Sequence, residues 1–162
     1  MKVEFLNPFV YAWMRVLASE AGVRRQIPGK PDLIKSDATL HAVNVVVGVE
    51  GSIDGLVIYG LDLSMAKAIT RALGDTELPI TDPMADSILS ELGNVITGQA
   101  AILLEEAGYP CRISTPVILK GTGIRLTTRS IPMVSVPIAT DVGDVTMYLS
   151  LNERQGAVSR RA

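Results

Sequence analysis

Cysteine occurs once in these 162 residues, as Cys111, and histidine once, as His41. A single thiol cannot close an internal disulfide, and one thiol with one imidazole cannot anchor a sulfur-rich metal site. A reducing compartment, the cytoplasm, is the expected setting. Aromatic residues make up only 4% of the chain, which leaves few platforms for stacking sugars or bases. An excess of positive charge is lacking too. Fifteen lysines and arginines against 17 acidic residues give a formal net charge of −2, so the basic surface that nucleic-acid binding demands is not there. No apolar run approaches the length of a membrane span. An apolar stretch does follow Lys2, from Phe5 to Leu17, but Asn7, Pro8 and Arg15 interrupt it, and it reads as a helix of the fold rather than a leader. The expected partner is another protein, with neither nucleic acid nor membrane involved.

What the chain does hold is apolar residues, 48% of the total and rich in Val, Ile and Ala, as suits helices packed on a sheet. Its length fits one domain burying roughly two thirds of its unfolded surface. We expect that domain over residues 1–151, with a frayed tail over 152–162. Asn7 and Pro8 predict an N-cap and first helical position, and Gly22 closes the helix after Ala21. Prolines and Gly29 then break residues 23–35 into short extended pieces. His41 to Glu50 is β-branched and nearly continuous, and Gly51-Ser-Ile-Asp-Gly55 links it to a second run, Leu56 to Leu61, as a hairpin. Ser64 is expected to cap a short helix ending at Gly74. Asp82 and Pro83 repeat the cap-then-proline signal and open a helix that runs to Ala107, about 37 Å at ~1.5 Å per residue. Strands return at Cys111 to Leu119, Ile124 to Thr128, Met133 to Thr140 and Val145 to Leu151.

The two halves echo one another. Ser-Glu-Ala-Gly22 ends the first predicted helix and Glu-Glu-Ala-Gly108 the long one, and short strands and a hairpin follow each. The fold class implied is α/β in its α+β-like form, a pseudo-twofold domain of two helix-plus-strands repeats with the long helix on a mainly antiparallel sheet.

At roughly 100° per residue, Ser87, Glu91, Asn94 and Gly98 fall within an arc of about 60° on the long helix. Leu89, Leu92, Ile96 and Leu103 lie across from them, with Ile88 and Val95 at the flank, as the face expected to be buried. Asn inside a helix is mildly unfavourable, and Gly98 costs about 1 kcal/mol relative to Ala. A bare glycine beside a carboxylate and an amide does let another protein approach closely. Spacing alone leaves the stripe as either such a site or the ordinary solvated face of an amphipathic helix.

Ser87-Ile-Leu-Ser-Glu91-Leu-Gly-Asn94, followed by Pro116, resembles the signature of the CheC/CheX/FliY family of CheY phosphatases: an Asp or Ser four before a Glu, an Asn three later, and a Pro some twenty beyond. The Pro arrives one residue early. Met-Lys-Val-Glu-Phe-Leu-Asn-Pro-Phe at the N-terminus and the Gly51 to Gly55 hairpin are similar to the CheX members. The resemblance covers most of residues 1–151. It implies that Asn94 orients a water for attack on a phosphoaspartate of a phosphorylated CheY-like receiver domain, and that Glu91 contacts a lysine beside it. It also implies a homodimer joined through sheet edges, no cofactor bound by this chain, and Mg²⁺ in the partner receiver. Family members of the CheC kind carry two such helices. Here Glu4 sits three before Asn7 but Pro8 follows at once, so that pair is expected at a helix entrance, leaving one active ridge. An acyl phosphate is already reactive, so a positioned water and stabilised equatorial oxygens suffice, and an amide can both donate and accept. Competing readings are a receiver-binding module that does not hydrolyse and a dimerisation domain of the same fold.

Other residues attract weaker readings. His41 has no second ligand of its kind and is expected at an exposed or edge position. Cys111 reads as a buried small hydrophobe rather than a nucleophile. Gly51 to Gly55 joins two strands, with no helix N-terminus to receive a phosphate. Glu105, on the same side as Asn94, is expected to border the partner-docking surface with Ser87 and Gly98.

Overall fold

The computed structural model describes residues 2–128 and 132–154. Helix α1 (Val3–Glu20) is followed by three short strands, β1 (Gln26–Pro28), β2 (Asp32–Ile34) and β3 (Asp37–Thr39), and by the hairpin of β4 (Val43–Gly51) and β5 (Ile53–Leu61). After α2 (Leu63–Gly74) the order returns. Helix α3 (Pro83–Glu106) leads to β6 (Cys111–Ile113), β7 (Val117–Lys120) and β8 (Arg125–Thr127), then to the hairpin of β9 (Met133–Thr140) and β10 (Asp144–Glu153). Among the described residues, only the first half carries the additional helix.

Strand pairing interleaves the halves. β5 and β10 meet antiparallel at the middle of the sheet, from Val145 opposite Leu61 to Glu153 opposite Ile53. Each is flanked by its hairpin partner, β4 or β9. The short strands then cross over: β1 and β2 pair with β9, whereas β6 and β7 pair with β4. β3 and β8, one from each half, form a separate ribbon. Neither half completes a sheet alone, and the pseudo-twofold axis passes between β5 and β10. Val43, Val45, Val47 and Val49 alternate toward the helical side of the sheet, where they join Phe5, Trp13, Leu89 and Ile96 in the core. A smaller cluster of Leu40, Ile58, Met133 and Tyr148 fills the opposite side beneath Ala38 and Leu126 of the ribbon.

Several boundaries differ from those expected, each for an identifiable reason. α1 begins at Val3 with Lys2 in the N-cap position, so Asn7 and Pro8 lie inside it. Phe5, Leu6 and Phe9 are all buried. Burying Phe5 and Leu6 at ~1.5–3 kcal/mol each outweighs the hydrogen bond that Pro8 forfeits. α2 is capped by Asp62, not Ser64: its Oδ1 accepts the Met65 amide at 2.7 Å and its Oδ2 the Asp144 amide at 2.9 Å. A carboxylate reaches two amides where a hydroxyl would reach one. α3 starts as expected, with Asp82 Oδ1 accepting the Met84 amide at 2.8 Å and Pro83 at the first position. Its buried row ends on Leu104, and Leu103 is only half-buried. Strand β10 continues through Asn152 and Glu153, paired opposite Asp54 and Ile53, so the expected tail starts too early. Residues 155–162 lie outside the described residues. By length and composition α3 is apolar enough to cross a bilayer, contrary to the expectation that no segment is. Its apolar side packs instead against α1, α2 and the sheet.

Candidate functional site

Three attachments fix the rotation of α3. Gly93 is buried, and a Cβ there would stand 2.6 Å from Val45 Cγ1, so the missing side chain lets the helix lie close on β4. Thr97, buried, donates to the Gly93 carbonyl at 2.7 Å and lies 2.9 Å from the Tyr59 hydroxyl. With the single Thr97 proton spent on Gly93, Tyr59 is the donor. Burial raises the Tyr59 phenol above its ordinary range and keeps it neutral, although the Thr97 hydrogen bond opposes that shift. Near the start of the helix, Lys120 of β7 reaches Asp86 at 2.7 Å and the Ile80 carbonyl at 3.0 Å.

With the apolar rows turned inward, Ser87, Glu91 and Asn94 are exposed along the opposite side. They border a groove of about 350 Å³ between α3 and the segment joining β6 to β7. Ser90 completes the helical wall, and Ile113, Ser114, Thr115 and Pro116 form the other. Ser114 holds that wall in place: its hydroxyl accepts the Gly48 amide at 2.8 Å and donates to the Thr115 carbonyl at 3.2 Å. The Ser87 hydroxyl turns back to the Pro83 carbonyl at 3.2 Å. Among the described residues, no basic side chain lies within ion-pair distance of the Glu91 carboxylate. Carboxylate and carboxamide thus stand one helical turn apart, both open to solvent and facing a common groove.

Not every expected site residue joins them. Gly98 flanks the groove: a Cβ built there would have Ile113 Cδ1 as its nearest neighbour, at 4.0 Å. Glu105 is exposed but lies roughly 16 Å further along the axis at ~1.5 Å per residue, and it does not border the groove. It stands instead near Cys111, whose half-buried thiol is raised above its ordinary value by burial first and by the Glu105 charge second. His41 is half-buried and its Nε2 lies 2.9 Å from the Thr146 hydroxyl. Ser90, Ser114 and Thr115 were not singled out from the sequence, although Pro116 marked the segment that carries two of them.

Glu4 lies in the first turn of α1, at the helix entrance as expected, and Asn7 one turn further in, and both are exposed. Their spacing matches that of Glu91 and Asn94. The Glu4 carboxylate, however, is engaged: it accepts the Tyr109 hydroxyl at 2.9 Å and lies 3.4 Å from the Lys2 ammonium.

Among the described residues, no three His, Cys, Asp or Glu side chains gather as metal ligands would.

Known proteins resemble this chain in sequence and in fold. The family described as chemotaxis phosphatase CheX matches residues 43–139. The CheY-P phosphatase CheX of Thermotoga maritima is 28% identical over 153 residues, 93% of this chain and 97% of that one. A crystal structure of the chemotaxis protein CheX from Desulfovibrio desulfuricans superposes with a TM-score of 0.82 at 28% identity, covering 93% of this chain and 99% of the other. The CheX of a CheX–CheY–BeF3–Mg²⁺ complex from Borrelia burgdorferi gives 0.78 at 25% identity, covering 94% and 100%. With the matched family spanning more than half of its residues, this chain belongs to the CheX family of chemotaxis phosphatases.

Proposed function

We propose that this protein hydrolyses the phosphoaspartate of a CheY-like receiver domain in bacterial chemotaxis, working in the cytoplasm, with Asn94 orienting the attacking water and Glu91 engaging a receiver lysine. The observation that carries this reading is the joint exposure of Glu91 and Asn94 on one groove, with Pro116 on the facing wall. The support from relatives is a CheX that acts on phosphorylated CheY in one organism and a CheX that binds CheY in another.

The chemistry asks little of this chain. Asn94 accepts a hydrogen bond from water through its carbonyl and donates through its amide, and so can hold the water in line with phosphorus. Negative charge on the equatorial oxygens falls to the receiver's own Mg²⁺ and lysine, while Glu91, by gripping that lysine, fixes the docking register. The two polypeptides each supply part of one site, and no cofactor of this chain is required. Exposed Val117 and Leu119 at one sheet edge, and Ile27 and Leu33 at the other, support a homodimer formed by edge pairing.

The test is incubation with acetyl-phosphate-charged receiver domains and Mg²⁺, following inorganic phosphate release. Release accelerated well beyond the receiver's own decay is the expected result. Decay at the unassisted rate across a panel of CheY-like receivers overturns the proposal.

A further inference from the structure

A second groove, of about 470 Å³, lies on the other flank of the same ridge. Its walls are mainly apolar, Val16 of α1, Leu73 of α2, and Ile88, Leu92 and Val95 of α3, with Ser87 of the ridge beside them. Two carboxylates stand at its rim, Glu20 near the end of α1 and Glu91 of the ridge, and no lysine or arginine is among the groove's described lining residues. Glu91 therefore belongs to both grooves, one polar with Asn94 and Pro116, the other apolar with Glu20.

A receiver placed with its phosphoaspartate over Asn94 must lie across Glu91, and so over the lip of the apolar groove. We infer that this groove is the anchor point for the receiver, taking an apolar side chain of the receiver surface with a lysine or arginine of the same segment set against Glu20. The inference rests on the proposed phosphatase reading for the identity of the partner. Charge decides the occupant: an acidic rim over an apolar floor repels an acidic segment and suits an apolar residue beside a basic one. Burying an apolar anchor in a preformed groove supplies affinity, while the amide and carboxylate of the ridge supply chemistry, and the two roles fall on different residues.

The experiment uses two substitutions at the groove but away from the ridge, Glu20→Lys and Leu73→Asn, with thermal melts to verify folding. Binding is measured by titrating a beryllofluoride-loaded, Mg²⁺-bound CheY-like receiver into each variant, and hydrolysis separately with the phosphorylated receiver. We expect each variant to weaken binding about tenfold and to raise KM by the same factor, with kcat unchanged. Unaltered binding in both folded variants overturns the anchor assignment even if the wild type is an active phosphatase. A wild type that binds but does not hydrolyse, with both variants weakened, sinks the phosphatase reading and keeps the groove. A wild type that does not bind the loaded receiver overturns both.

Discussion

Two glycines on α3 make a matched pair of substitutions. Gly93 faces the sheet and Gly98 flanks the candidate groove, and in a helix each costs about 1 kcal/mol relative to alanine. At Gly98 the added Cβ would meet Ile113 Cδ1 at 4.0 Å, an ordinary contact, so Gly98→Ala gains the propensity without strain. At Gly93 it meets Val45 Cγ1 at 2.6 Å, on a β-branched side chain with little rotameric freedom. Relief there requires a shift of helix or strand, an overpacking cost of ~1–3 kcal/mol. The propensity gain is common to both variants and cancels, so their stabilities should differ by that ~1–3 kcal/mol. For a chain of this size each kcal/mol moves Tm by roughly 2–4 °C. Thermal or urea denaturation reads the difference directly. Gly98→Ala should melt above the wild type while losing affinity for a receiver, because the new methyl raises the surface beside Asn94. A Gly93→Ala protein as stable as Gly98→Ala would show that the close seating of α3 on β4 does not depend on the missing side chain.

Further expectations follow from particular contacts. Because Tyr109 and Lys2 occupy the Glu4 carboxylate, the double substitution Glu4→Gln and Asn7→Ala should leave receiver dephosphorylation unchanged in a phosphate-release assay, and a marked loss would reveal a second working ridge. Tyr59→Phe should cost about 1 kcal/mol in urea unfolding, since Thr97 loses one buried partner yet keeps the Gly93 carbonyl. Cys111 should alkylate slowly with iodoacetamide at neutral pH and faster as pH climbs past the ordinary thiol range, because the thiolate reacts and its formation is held back by burial and by Glu105. Glu105→Gln should lower that barrier and speed labelling, and no change would place Glu105 away from the thiol.

Where one strong local signal stood alone, the sequence was readable. Asp82-Pro83 and the glycines at 22, 74 and 108 mark helix ends that the structure keeps to within a residue or two, because capping chemistry there meets no competing demand. The repeat was legible from Glu-Ala-Gly22 and Glu-Ala-Gly108. What it did not disclose was the exchange of short strands between halves, since pairing between β1 and β9 joins residues more than a hundred positions apart and leaves no local trace. Asn7-Pro8 misled for the opposite reason. Its local chemistry favours a helix start, but burial of Phe5 and Leu6, a tertiary effect, carries the helix back to Val3. At the site, the helical arc correctly put Ser87, Glu91 and Asn94 on one exposed line, because a helix's geometry is the same wherever it sits. The facing wall at Ser114 and Thr115, and the way Glu105 falls beyond the groove, depend on where β6 meets β4, which periodicity cannot supply.

The central claim is that Asn94 acts on water while the rest of the ridge binds, and it is tested most directly by Asn94→Ala under single turnover. With enzyme in excess over phosphorylated receiver and binding measured in parallel, the rate should fall by roughly 10²–10³, the usual cost of removing one preorganised hydrogen-bonding group, with receiver affinity retained. Dephosphorylation at the wild-type rate by a folded Asn94→Ala protein would contradict the account.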